Sequence, residues 1–426
     1  MAPAVKCLIL LAIIAICFIT ELIPIAMTAL LGAIACGILG FIPAKAVFYG
    51  FADNNVVLFI GMFVVGASMF HTGLAQRIGE TVVRMAGTSE NRLMFGIMLV
   101  TAALSAVLSN TGTTACIMPV VLGICSAAKM PASRQLMPLA IAAGLGGAIT
   151  MVGTPPNLIV TAALSNANLK TFGFFEFAYI GIPLTICGII YFMLIGKYFL
   201  PKRALDADQE IEQEVIADPL SQTPRKQCIS GIILIVVVIA MALNLKWFSL
   251  SMAAMTGGAL CVLLKLLTEK QAYVSVDWVT VILLGGMMPV ASSLEKTGAG
   301  KLIADVAVAA MGGSPTPLVV MVVLFIIACS LTQFMSNTAA TALLAPVGIA
   351  ISEKLGASPQ AVLMAIAMAA TCAFASPVGT PPNTLVLGPG GYKFMDYVKA
   401  GTGLIFVCFI VCMIVIPMVW PFFPGK

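Results

Sequence analysis

The stretch Ser109-Asn110-Thr111 lies in the middle of a run, 93–128, that contains no Asp, Glu, Lys or Arg. It returns as Ser336-Asn337-Thr338 inside a second uncharged run, 306–352. Each triplet is followed by another shared motif, Gly153-Thr154-Pro155-Pro156-Asn157 in one half and Gly379-Thr380-Pro381-Pro382-Asn383 in the other. The triplets lie 227 residues apart (109 to 336) and the proline motifs 226 (153 to 379). Thr72-Gly73 and Thr297-Gly298, and Gly32 and Gly257, match at 225. One offset held over most of the chain marks a duplication.

Composition sets the environment. With 61% hydrophobic and 9% charged residues and a mean hydropathy of +1.09, a water-exposed surface would carry too few charges, so a soluble domain is excluded. The chain reads as an all-α polytopic membrane protein. A spanning helix needs roughly 20 mostly apolar residues, and apolar spans are expected near 4–20, 24–42, 54–75, 137–165 and 177–200, then 228–245, 249–267, 276–296 and 400–421. Two polar stretches, one carrying Arg77, Glu80, Arg84, Glu90 and Arg92 and one ending near 315, read as interfacial helix. The twelve cysteines stand singly with no CxxC pair, which suits small core residues rather than a metal or disulfide framework. The net charge of +5 is dispersed over loops, and no basic patch interleaved with aromatics suggests nucleic acid.

The uncharged run 93–128, broken at its polar centre, reads as a hairpin whose tip is buried in protein, because lipid cannot satisfy irregular backbone. The span at 137–165 breaks where Pro155 and Pro156 remove two backbone donors. The second half repeats both features. If the hairpins re-enter, each repeat crosses the membrane five times, an odd number, so the repeats are inverted. Of the 22 Lys and Arg, 14 fall on the side of the polar linker 201–227 and 8 on the other, which makes the linker side cytoplasmic. Both tips then meet near the midplane.

Helix N-termini at such tips and breaks offer free N–H groups and positive dipole ends to an oxyanion, while unwound carbonyls suit Na⁺. Ser and Thr hydroxyls and the Asn amide can serve either ion. Segments 93–128, 137–169, 306–352 and 355–392 carry no Asp, Glu, Lys or Arg. An uncompensated charge at the bilayer centre costs at least ~2.5–3.5 kcal/mol, so the counter-charge is expected to arrive with the substrate as co-bound cations. Two Na⁺ per dianion would be electroneutral; a further cation would couple transport to the membrane potential.

These residues resemble the divalent anion/sodium symporter family, carriers of di- and tricarboxylates or sulfate. The resemblance covers nearly the whole chain: both Ser-Asn-Thr tips, both Gly-Thr-Pro-Pro-Asn breaks, and the segment 371–386, which is similar to the family signature with Thr371 where Ser is usual. It implies one Na⁺ site around Ser105, Ser109, Asn110 and Gly153, and a second around Thr332, Ser336, Asn337 and Gly379. Substrate would touch Asn110, Thr111, Thr154, Pro155, Asn337, Thr338, Thr380 and Pro381. It further implies a homodimer in which a transport domain, 93–200 with 316–426, moves like an elevator against a scaffold, 1–92 with 228–315. Family members usually begin with an extra unpaired helix, and here the first repeat starts at once, as expected for a form lacking that helix or truncated before it. Exchangers of the family carry basic residues where the cation sites would be; none lies near these tips.

The reading is therefore a secondary transporter of the plasma membrane, not an enzyme, with Na⁺ as coupling ion and no other cofactor. Its expected substrate is a small dianion, a C4-dicarboxylate such as succinate, with sulfate symport or dicarboxylate exchange as alternatives. A cation/proton antiporter would need titrating carboxylates in the breaks, a channel would not need paired breaks, and an enzyme would need a catalytic cluster. His71, the only histidine, reads as a packing residue, Glu21, Asp53 and Asp277 as loop or cap residues, and Gly66, Gly144, Gly146 and Gly147 as close-packing positions.

Overall fold

A computed structural model describes residues 2–86, 89–202, 223–243, 247–313 and 315–424. The first half forms α1 (Pro3–Thr20), α2 (Ile25–Ile38), α3 (Asn54–His71), α4 (Leu74–Ala86), α5 (Glu90–Ser105), α6 (Asn110–Ala127), α7 (Leu136–Gly147), α8 (Pro155–Asn166) and α9 (Ala178–Leu194). The second forms α10 (Pro224–Ala242), α11 (Leu250–Leu263), α12 (Glu269–Ser275), α13 (Trp278–Thr297), α14 (Ala299–Ala310), α15 (Pro317–Leu331), α16 (Asn337–Lys354), α17 (Gln360–Thr371), α18 (Pro381–Leu387) and α19 (Phe394–Val419). The described residues contain no strand. Among the described residues, six stretches are long and apolar enough to cross a membrane: Pro3–Thr20, Ala44–His71, Asn110–Ala127, Pro224–Ala242, Trp278–Thr297 and Phe394–Val419.

Packing repeats when the halves are exchanged. α3 lies on α11 and α13 on α2; α5 lies on α7 and α15 on α17; α8 lies on α16 and α18 on α6. Every residue of α7 is buried, as are 361–371 of α17, as expected of helices apolar all round. Isoleucines of α1 and α10, such as Ile13, Ile16, Ile235 and Ile239, are exposed together with Phe406 and Ile414 of α19, which is the surface that lipid covers. Closest approach falls at matching small residues. A methyl group added to Gly61 would lie 2.5 Å from Ala254 C, and one added to Gly286 would lie 2.8 Å from Ala29 C; both pairs are related by 225 residues.

Several boundaries differ from the sequence reading. The linker does not reach 227, because Thr223 and Pro224 begin α10 with Pro at a favoured first position; linker residues 203–222 lie outside the described residues. Glu90 and Arg92 do not continue α4 but open α5, and Glu90 pairs with Arg134. The short α12 is an addition, nucleated by a capping box in which Gln271 N donates to Thr268 Oγ1 at 3.2 Å and Thr268 N to Gln271 Oε1 at 2.8 Å. In the hairpin, α6, at 18 residues, extends about 27 Å. Asp53 caps α3 through Asn55 N at 2.8 Å, and Glu21 closes α1 with φ 51°.

Tyr392 ties the halves together on the side of α7's N-terminus. Its hydroxyl donates to Ser133 O at 2.6 Å and accepts from Met137 N at 2.8 Å; burial raises the phenol well above its ordinary pKa, so it stays a donor.

Overpacking a backbone contact typically costs about 1–3 kcal/mol. Gly61→Val and Gly286→Val are therefore expected to lower the melting temperature of the detergent-purified protein by several degrees, while Gly123→Ala, which has no atom within 4 Å of the added carbon, should leave it unchanged or raise it.

Candidate functional site

Four helix N-termini converge on one cavity of about 900 Å³. α6 and α16 each begin immediately after a tip serine that caps them: Gly112 N donates to Ser109 Oγ at 3.1 Å, and Ala339 N to Ser336 Oγ at 3.2 Å. The N–H groups of Asn110, Thr111, Asn337 and Thr338 precede the intrahelical ladder. α8 and α18 start with two prolines each, so their first two residues bring positive dipole but no N–H, and the next N–H groups, of Asn157 and Asn383, are turned back to Thr154 O at 3.2 Å and Thr380 O at 3.1 Å.

The cavity wall includes Asn110, Thr111, Thr154, Pro155, Asn337, Thr338, Thr380 and Pro381, all eight positions implied for substrate. It also includes Ser109, Gly153, Ser336 and Gly379. Ser105 and Thr332 are fully buried behind the tips and touch the cavity only through the asparagines.

Each asparagine amide sits in a nest of oxygens. The inward atom of Asn110 lies 2.6 Å from Ser105 Oγ, 3.0 Å from Ala143 O and 3.1 Å from Gly153 O. That of Asn337 lies 2.6 Å from Thr332 Oγ1 and 3.1 Å from both Ala370 O and Gly379 O. With the nitrogen inward these are ordinary donations that staple tip to break. With the oxygen inward, carbonyl oxygens face one another and need a cation among them. Gly147 makes the first nest possible, since a methyl group there would lie 2.3 Å from Asn110 Oδ1; one on Gly146 would lie 2.3 Å from Ala102 O.

The far wall comes from α3 and α13. Phe59, Met62, Phe63, Gly66, Phe70 and His71 line it, with Thr280, Leu283 and Asp277 opposite. Sequence reading placed none of these at a site. His71 and Gly66 prove to line the cavity, and the added carbon on Gly66 would meet only Leu108 at 3.5 Å, an ordinary contact. Asp277 caps α13, accepting from Thr280 N at 3.2 Å and Thr280 Oγ1 at 2.5 Å, and among the described residues it is also the one Asp, Glu, Lys or Arg that lines the cavity. Periodicity carried no signal for this wall, because an apolar helix face toward a cavity is written like one toward lipid.

A sequence profile described as Citrate transporter matches residues 15–352 and, in a second match, 241–424. The chain belongs to the citrate transporter family. This bears out the resemblance to divalent anion/sodium symporters, and the chain is a transporter, not an enzyme. An uncharacterized transporter of Haemophilus influenzae is 31% identical, over 96% of this chain and 91% of the relative. The Escherichia coli uncharacterized transporter YfbS is 27% identical over 97% and 98%. The sodium-dependent dicarboxylate transporter SdcS of Staphylococcus saprophyticus is 27% identical over 95% and 84%. Among solved structures, the Alcanivorax borkumensis YdaH transporter superposes with a TM-score of 0.66 at 16% identity, covering 99% of this chain and 100% of that one. That similarity shows the fold alone.

Displacing a binding group by about 1 Å can cost up to ~10²-fold in activity. Gly147→Ala, which forces the Asn110 amide aside, is expected to cut uptake of a labelled anionic substrate about tenfold or more per folded molecule. Gly144→Ala, whose carbon meets Phe374 Cε1 at 3.3 Å, should retain most of it.

Proposed function

We propose that this transporter carries a small dianion, best a C4-dicarboxylate such as succinate, into the cell together with Na⁺. The observation that carries this reading is the pair of amide-centred oxygen nests flanking one cavity without Lys or Arg. A dianion brought there meets four helix N-termini but no fixed cation, and here it also meets the carboxylate of Asp277. Two co-bound Na⁺, one per nest, balance the charge and turn the Asn110 and Asn337 oxygens inward. Ser105, Ser109, Asn110 and Gly153 hold one ion and Thr332, Ser336, Asn337 and Gly379 the other, while Thr111, Thr154, Pro155, Thr338, Thr380 and Pro381 face the substrate. The relatives named sodium-dependent dicarboxylate transporter support the assignment.

The same reading orders the molecule in a plasma membrane. The exchanged helix pairings support inverted repeats. With the linker cytoplasmic, α3 ends and α13 begins on that side, so a cavity lined by His71, Gln76, Ser275 and Asp277 opens inward. A second cleft of about 570 Å³, lined by Ala163, Ala291, Glu295, Lys301 and Glu353, lies at the other end of α13. Residues 93–200 and 316–426 then slide as a transport domain of a homodimer past the scaffold formed by 1–92 and 228–315, closing one opening as the other forms.

In proteoliposomes, succinate uptake is expected to require an inward Na⁺ gradient, to fail with K⁺ in its place, and to drop about tenfold or more, the effect of ~1.4 kcal/mol, in both Asn110→Ala and Asn337→Ala. Competition by citrate and sulfate ranks the substrates. Uptake that ignores Na⁺ but needs vesicles preloaded with dicarboxylate would mean exchange and would end the counter-charge argument.

A further inference from the structure

The two nests are built differently. In the first half, α5 touches the end of α7 directly: Gly146 has no side chain, and its backbone lies against Ala102. The counterparts in the second half, by the same offsets, are Cys329 and Cys372, where the Cys329 Sγ lies 4.0 Å from Cys372 O. One further side chain ties the two together. Gln333 Nε2 donates to Cys329 O at 2.8 Å and to Cys372 O at 2.9 Å, and Gln333 Oε1 accepts from Ala375 N at 3.1 Å. The residue at the equivalent place in the first half is Ala106, which has no polar side chain and offers only its carbonyl, to Thr150 Oγ1.

Gln333 is next to Thr332, whose hydroxyl donates to Ala370 O at 2.7 Å. These two residues bind Ala370, Cys372 and Ala375, which lead from the last turn of α17 into the break. From the other side Asn383 Nδ2 donates to Ala373 O at 2.8 Å and Ser376 O at 2.9 Å. The unwound backbone is thereby satisfied and held from both flanks. Gln333 does not line the cavity, so it acts through the backbone it holds.

We propose that Gln333 is a positioning residue for the second nest: it fixes the start of the second break so that Ala370 O and Gly379 O face Asn337, and the second nest binds its cation only with this brace in place. This rests on the Na⁺ reading of the nests. The first nest, closed by direct glycine contact, does not depend on it, so the two cation sites are inequivalent. Pre-organised ligands bind more tightly because less ordering remains to be done on binding, so loss of the brace weakens the second nest.

The test is succinate uptake into proteoliposomes as a function of external Na⁺, for wild type, Gln333→Leu and Gln333→Met. Both variants remove the amide and keep a side chain of similar reach, and the pair guards against one failing to fold. Both are expected to raise the Na⁺ concentration for half-maximal uptake about tenfold, the loss of a net hydrogen bond or two. They should lower the Hill coefficient toward one and change the rate at saturating Na⁺ by less than about twofold. A merely structural glutamine would lower the amount of folded protein or the maximal rate and leave the Na⁺ midpoint in place; that result overturns the proposal. Wild-type uptake without any Na⁺ dependence overturns the symport reading and this inference with it, whereas Na⁺-dependent wild type with unmoved variants overturns this inference alone.

Discussion

Two helix breaks within segments that carry no Asp, Glu, Lys or Arg leave backbone N–H and C=O groups that lipid cannot satisfy, and each such group costs several kcal/mol if left bare. The structure meets this demand with short amide and hydroxyl side chains. Asn157 Nδ2 donates to Thr150 O at 2.8 Å in the first break, and Asn383 Nδ2 does the corresponding work in the second. Asn110 and Asn337 sit across from them at the tips. The rest of the architecture follows from having to bring tip, break and cap together without charged groups.

That requirement explains why the innermost helices look as they do. α7 and α17 are built mostly from Ala, Leu, Met and Ile, with Gly in α7, because tip hairpins, breaks and α9 or α19 pack around them on several sides. Close approach is possible only where Cβ atoms are absent or small, at Gly146, Gly147, Gly181 and Gly401. Where the second half carries Cys372 in place of Gly146, Gln333 donates to both Cys329 O and Cys372 O. The duplication is thus a repeat of topology and of motif, while the local means of satisfying the backbone have diverged between halves.

The tips and breaks were legible in the sequence because polar residues recurring within uncharged runs have few structural explanations, and because a shared offset over 200 residues is not produced by composition. Cap residues Asp53 and Asp277 were legible for local reasons, each standing just before an apolar run. The wall formed by Phe59, Met62, Phe63, Phe70 and His71 was not, since side chains facing lipid, protein and an apolar cavity obey the same pattern. Asp277 shows the limit of a local reading: the cap was correct, and its place in the cavity wall depends on where α13 lies against α3. α12 escaped notice because its seven residues are too few for periodicity to register.

Sequence alone determined the environment, the duplication and the residue types at the tips and breaks, since these depend on composition and on order along one chain. Tertiary structure decided which of those residues meet. Ala143 and Gly153 reach Asn110, and Ala370 and Gly379 reach Asn337, only after hairpin and broken helix are packed side by side. The cavity exists only because four N-termini from both halves end at one place. Such contacts join residues tens to hundreds of positions apart, and no local propensity encodes them.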